Sequence, residues 1–274
     1  MSTLHEKIPV SVVIPCYRCK DTIVRALASV AAQTALPAEV ILVEDQSGDD
    51  TLQRLKEIAK QYPENWIRVL EQKVNAGPGS ARNVGWESAQ NPYIAFLDSD
   101  DSWHPQKLEI QYSWMKTHPD VALTGHGTQQ VEGTTAPNDK VLAVVDRPVI
   151  AKKLLFSNQF PTRSVMLRRD VPFRFFPGKR HSEDYLLWLT IVLNGHKAYV
   201  LEAPLAYSFK SDYGDAGLSA QLWKHEKGEL DMYRRLKNDG LVSVGMYYPL
   251  LAFSFLKYLR RVLITAKRSR SARA

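Results

Sequence analysis

The sequence predicts an α/β fold: a largely parallel sheet with helices on both faces, then a less regular half and C-terminal helices. Three observations predict it. Five short β-rich apolar runs, Val10–Ile14, Val40–Val43, Trp66–Leu70, Tyr93–Leu97 and Val121–Thr124, begin 30, 26, 27 and 28 residues apart. Helical patterns lie between them, and a β-α alternation of this period joins parallel strands through helical crossovers. The composition, 45% apolar and 24% charged over 274 residues, is that of a globular chain long enough to bury a large core, not of a disordered or fibrous one.

Each element has a local reason. The first helix is expected over Thr22–Gln33, where Ile23, Leu27, Val30 and Ala31 share a face. Further helices are expected over Asp49–Gln61, Gly79–Ala89 and Gln106–Thr117, the last after Pro105, a favourable first-turn residue. Beyond Gly125 the pattern loosens. Gly127–Asp139 reads as a loop, Val149–Phe156 and Glu183–Leu193 as helices, and Lys197–Tyr207 as one or two strands. The expected organisation is a ligand-binding sheet half over residues 1–125, a second half over 126–225, and a helical basic tail over 226–274.

Charge is unevenly placed. The chain has 36 Lys and Arg against 29 Asp and Glu, a net charge of +7. No acid follows Asp239, while Lys257, Arg260, Arg261, Lys267, Arg268, Arg270 and Arg273 do; the preceding residues therefore carry 29 charges of each sign. A neutral body argues against nucleic-acid binding, which places cations on the folded domain. The tail is also apolar, and Ser254, Lys257, Arg261 and Arg268 recur at helical steps as a polar stripe. Such a helix suits an anionic membrane surface, although it could equally dock on the body. The apolar run Leu241–Leu256 is too short to span a bilayer, which takes about 20 residues. With only two cysteines and no signal-peptide pattern at the N-terminus, the expected location is the cytoplasm, peripheral on the inner face of the cell membrane.

Ligands of open parallel sheets bind beyond the carboxyl ends of the strands, so those ends are where chemistry is expected. After the first comes Pro15-Cys16-Tyr17-Arg18-Cys19, where Tyr17 offers an aromatic face for a base; a thioredoxin-like use of the two cysteines is the alternative. After the second comes Glu44-Asp45-Gln46-Ser47, carboxylates able to accept from a ribose hydroxyl or a base N–H. Asn75–Gly85 follows the third. It is neither the dinucleotide fingerprint nor a P-loop, but Arg82 can present its fork to a phosphate or a base. After the fourth stands Asp98-Ser99-Asp100-Asp101. Crowded carboxylates repel and favour a cation, and oxygen-only ligands suit Mg²⁺ or Mn²⁺ bridging to a diphosphate.

Taken in order, Pro15-x-Tyr17, Glu44-Asp45-x-Ser47, Gly79-x-x-Arg82-Asn83-x-Gly85 and Leu97-Asp98-x-Asp100-Asp101 make the chain resemble the family 2 glycosyltransferases of the GT-A fold, a Rossmann-like nucleotide-binding sheet. The match covers about residues 8–125 and continues more weakly through Ser182-Glu183-Asp184-Tyr185. The resemblance implies an inverting transfer of one sugar from a nucleotide-diphosphate-sugar, UDP-sugars favoured, to a glycan or lipid-linked acceptor in envelope polysaccharide synthesis. It implies Tyr17 and Pro15 at the base, Asp45 accepting from the base N–H, and Glu44 near the nucleoside. It further implies Arg82 and Ser99 in the nucleotide-sugar pocket, Asp98 at the ribose, and Asp100 with Asp98 at the Mg²⁺ or Mn²⁺ ion. Asp184 would be the catalytic base, with Glu183 beside it.

Three departures stand out. Arg18 replaces a frequent Asn, Glu44 a frequent Asp, and Lys210 stands about where many members place a metal-binding His. A nucleotidyltransferase would need a Gly- and Arg/Lys-rich loop after the first strand, which Pro15–Cys19 is not. A non-catalytic nucleotide-sugar binder remains the other alternative.

Overall fold

The computed structural model describes residues 7–133, 136–137, 139–141, 143–209 and 221–271. In chain order the first half forms β1 (Ile8–Cys16), α1 (Ile23–Ala31), β2 (Pro37–Glu44), α2 (Thr51–Ala59), β3 (Ile67–Glu71), α3 (Pro78–Ser88), β4 (Tyr93–Phe96), the two-residue β5 (Ser102–Trp103) and α4 (Lys107–Thr117). The second half forms β6 (Val121–Gln130), β7 (Asp146–Pro148), α5 (Ala151–Leu154), a 3-10 turn (Thr162–Ser164), β8 (Met166–Arg168), α6 (Glu183–Leu193) and β9 (Lys197–Ser208). Two long helices, α7 (Leu222–Asn238) and α8 (Val244–Ser271), follow.

One sheet runs through both halves in the order β3-β2-β1-β4-β8-β6-β9-β5, and β7 pairs with β9. β1, β2, β3 and β4 are parallel, as the alternation requires. Side chains alternate across this sheet. Val13, Ile41, Val43, Ile94 and Phe96 pack on one face with Trp86 of α3 and Trp188 of α6. Val12, Ile14, Val40, Leu42 and Ala95 pack on the other with Leu27, Leu55 and Leu108 of α1, α2 and α4. α3 crosses β1 closely enough to need Gly85, where an added Cβ would lie 2.4 Å from a Val13 methyl.

The fifth apolar run does not extend the parallel set directly. β8 enters between β4 and β6, antiparallel to both. Three residues are too few for a periodic signal, so Met166–Arg168 gave no sequence cue. β6 also continues to Gln130, where a loop was expected from Gly127, because β9 pairs with it along its length. The expected Val149–Phe156 helix is only the single turn α5.

The tail docks on the body, one of the two uses its pattern left open. Three residues of the polar stripe face α7: Ser254 Oγ donates to Glu226 (2.9 Å), Arg261 to Glu226 (2.7 Å), and Lys257 pairs with Glu229, while the side chain of the fourth, Arg268, lies outside the described ones. Buried charges need such counter-charges. Tyr248, Phe255, Leu256, Leu259 and Leu263 therefore point outward, each more than 40% exposed. No described helix is long and apolar enough to cross a membrane.

Candidate active site

The carboxyl ends of β1, β2 and β4 meet the start of α6, and α3 lies between them. At β1, Tyr17 is exposed with the Arg18 guanidinium 5.3 Å from its ring centroid. Pro15, two residues earlier, is half-buried. Arg18 takes a left-handed backbone (φ 48°) and ties β1 to β2 through Ser47, whose hydroxyl accepts from its N–H (3.0 Å). That conformation is easier for Asn than for Arg, the residue found here.

At β2 the two carboxylates are already engaged. Glu44 accepts from the N–H groups of Gln46 (3.0 Å) and Ser47 (2.7 Å), and so holds the turn. Asp45 accepts from Gln72 Nε2 (2.7 Å) and from the N–H groups of Ala76 and Gly77 (2.9 Å each), anchoring the loop before α3. Burial raises the Asp45 pKa against the pull of those two N–H groups. Both residues fix the backbone beyond β2, and a base N–H at Asp45 would share oxygens that the loop already uses.

The crowding expected at β4 is relieved by arginines. Asp98 accepts from Arg82 Nη2 (2.6 Å), and Asp101, turned inward, accepts from Arg163 Nη1 (3.1 Å). The Asp100 carbonyl accepts from Arg25 (2.6 Å). Arg163 and Arg25 carried no sequence signal, because their partners lie 62 and 75 residues away. Asp98, Ser99 and Asp100 stay partly exposed at the strand end. Among the described residues no group of three or more His, Cys, Asp or Glu is placed to hold a metal. Two carboxylates suffice for a hard cation that completes its shell with diphosphate oxygens and water, so Asp98 and Asp100 fit Mg²⁺ or Mn²⁺. Lys210, considered for this site, lies outside the described residues.

Arg82 is the hub. It is 5% exposed, and its second nitrogen reaches Glu183 (3.1 Å) at the first turn of α6. Burial lowers its pKa, but the charges of Asp98 and Glu183 outweigh this and raise it. Burial and the neighbouring Asp184 push Glu183 up to about 7, despite Arg82. Asp184 is half-buried; it accepts from Thr162 Oγ1 (3.0 Å) and from the Tyr185 N–H (2.7 Å). Ser182 before them has a left-handed backbone (φ 55°), which turns the chain sharply into α6. Arg180 donates to the Asn75 carbonyl (3.0 Å) and so closes the wall over the loop that Asp45 anchors.

Cys16 and Cys19 are buried free thiols; burial pushes Cys16 well up, and the contact with Cys16 draws Cys19 down. A redox site of the thioredoxin kind needs an accessible thiol, which burial of both denies.

Residues 11–176 match the family described as Glycosyl transferase family 2. A curated relative, the Escherichia coli UDP-Glc:alpha-D-GlcNAc-diphosphoundecaprenol beta-1,3-glucosyltransferase WfgD, is 32% identical over 185 residues, 67% of this chain and 69% of that one. Among solved structures, residues 1–349 of S. aureus TarS in complex with UDP-GlcNAc align with a TM-score of 0.67 and 22% identity, over 93% of this chain and 72% of that one. The mannosyltransferase PcManGT of Pyrobaculum calidifontis, in complex with GDP-Man and Mn²⁺, aligns with a TM-score of 0.65 and 15% identity, over 98% of this chain and 81% of that one.

Proposed function

The chain belongs to glycosyl transferase family 2 and is a glycosyltransferase of the GT-A fold; from that premise we propose that it moves one sugar, with inversion, from a UDP-sugar to a lipid-linked glycan acceptor. The observation that carries this reading is the Arg82 bridge. One guanidinium holds Asp98 at the end of β4 and Glu183 beside Asp184, so donor end and candidate base belong to one site. The donor class is supported by the UDP-sugar in WfgD's name and in the TarS complex, and the acceptor class by the diphosphoundecaprenol in that same name.

Each residue then has a task. Tyr17 stacks on the base, Pro15 supports it, and Glu44, Asp45 and Ser99 shape the nucleoside pocket. Asp98 and Asp100 would hold Mg²⁺ or Mn²⁺. A divalent ion there supplies positive charge against the negative charge that the leaving diphosphate gathers. Asp184 takes the proton of the acceptor hydroxyl as its oxygen bonds to the anomeric carbon. The bond to the nucleoside diphosphate breaks on the opposite face, and its electron pair leaves with the β-phosphate. Thr162 aims the Asp184 carboxylate, and Glu183 fixes Arg82 rather than touching substrate. Holding donor and acceptor in line supplies much of the rate.

Peripheral attachment to an anionic inner membrane face belongs to the same reading. Its support is the outward apolar face of α8 and the cations that follow it, because a monomer rarely exposes so large an apolar stripe without a use for it. The deciding experiment is a panel of nucleotide sugars with Mn²⁺. A UDP-sugar should raise the melting temperature, since a ligand selective for the folded state stabilises it. No shift with any uridine, guanosine or thymidine sugar would overturn the donor assignment.

A further inference from the structure

The wall beside Asp184 carries a feature that the transfer as described leaves unused. Lys179 is fastened to α7 by Asp231 (3.1 Å) and the Gly228 carbonyl (2.7 Å). This draws the 179–181 segment so near α7 that a Cβ at Gly228 would lie 2.5 Å from His181 Cβ. His181 thereby faces His225 on the first turn of α7, edge to face, with ring centroids 6.5 Å apart. The Nδ1 atom of each ring is buried with no hydrogen-bond partner among the described residues. Each Nδ1 is closed off from solvent, so a ligand would meet these rings only through Nε2, which donates when the neutral ring carries its proton there.

The charges around this pair are specified. Lys224, exposed on α7, acts on His181 together with Lys179 and Arg180. Asp184, Glu229 and Arg261 act on His225. Lys179 is bound to Asp231, Arg180 to Asn75, and Arg261 to Glu226 and Glu229. Lys224 is thus the cation of this group that no described side chain engages. Two imidazoles and an ammonium next to the base make a receptor for an anion on the molecule whose hydroxyl that base deprotonates.

We propose that His181, His225 and Lys224 form an anion subsite for the acceptor, holding the diphosphate of a lipid-linked glycosyl diphosphate while its sugar reaches Asp184. This rests on the reading of the chain as a transferase to a lipid-linked acceptor. The donor diphosphate belongs across Arg82, at Asp98 and Asp100. Glu226, the residue after His225, binds Ser254 and Arg261, so the helix that carries His225 and Lys224 is also the one that seats α8.

The test titrates decyl diphosphate against the full chain, with and without saturating UDP, following binding by calorimetry and the imidazole nitrogens by NMR. Decyl diphosphate should bind in the presence of UDP and shift the His181 and His225 resonances. The paired substitutions His181→Gln and His225→Gln should weaken it at least tenfold, and Lys224→Gln about threefold, with UDP affinity unchanged. Binding that persists undiminished in these variants overturns the proposal, and so does a matching loss of UDP affinity, which would assign the groups to the donor. Absence of decyl diphosphate binding to the wild-type chain, or unshifted imidazoles when it binds, also overturns it without any variant. Failure of UDP itself to bind would strike the donor reading instead, and the titration without nucleotide would still decide the subsite.

Discussion

The donor side and the acceptor side of this site are built in different ways. On the proposed donor side, groups sit at strand ends and are fixed from within the first half of the chain, as Glu44 is by Gln46 and Ser47 and Asp45 by Gln72, Ala76 and Gly77. On the proposed acceptor side, the residues flanking Asp184 are held by contacts that cross from one half of the chain to the other. Arg82 reaches Glu183 over 101 residues, and Arg180 reaches Asn75 over 105. A side held from within one half of the chain can persist while the other side is remodelled. This predicts that donor-side substitutions change nucleotide affinity, while acceptor-side ones change turnover or stability.

The sharpest test of that division is Asp184→Asn. Loss of a general base costs about 10²–10⁴-fold in turnover. The expected outcome is a fall of that size in kcat, with the UDP-sugar dissociation constant within twofold of wild type. Comparable loss of donor affinity would abolish the distinction between the two walls. Next in size is Arg82→Met, which leaves Asp98 and Glu183 without their shared cation. Breaking a buried ion pair from one side costs about 3–5 kcal/mol. Urea unfolding should register a loss near the lower figure, since Asp98 keeps some solvent contact. A change under about 1 kcal/mol would show that Arg82 does not join the walls.

These walls were unequally legible in the sequence. Tyr17, Asp45 and Asp98 stand within three residues of the end of an apolar run, so strand periodicity pointed to those strand ends, while Arg82 lies farther on, inside α3. β8 was invisible because three residues carry no period, and Arg163 because its partner Asp101 lies far off in sequence. The tail left two uses open for a related reason. It looked like a cationic face without counter-charges, yet Glu226 and Glu229 stand a helix earlier and bury that stripe. The apolar residues between the cations were the exposed ones, and composition could not say which side of the helix would dock.

Glu183 offers a test through pH. Its folded-state pKa is pushed up to about 7, above the ordinary glutamate value, chiefly by burial and then by Asp184. A raised acid favours the folded state when protonated, so its contribution is fully present below about pH 4.3 and is lost as pH rises through about 7. Glu183→Gln, which keeps a hydrogen-bond acceptor for Arg82, should flatten the decline in stability between about pH 5 and pH 7 relative to wild type. Unchanged slopes in urea unfolding across that range would mean that Glu183 is ionised in the fold, and that the Arg82 bridge outweighs its burial.

The smallest expected effect falls on the donor side. Tyr17→Ala removes the exposed ring at the end of β1, and base stacking is worth about 1–3 kcal/mol. The Arg18 guanidinium already covers part of one ring face, so the lower end applies, roughly a fivefold to tenfold loss of UDP-sugar affinity. The melting temperature of the free protein should not move, because an exposed ring contributes little to the core. Isothermal titration of the variant with UDP-sugar checks the first statement, and a thermal scan without ligand checks the second. If turnover fell with affinity intact, Tyr17 would act on the chemical step, and the assignment of binding to one wall and reaction to the other would fail at its simplest residue.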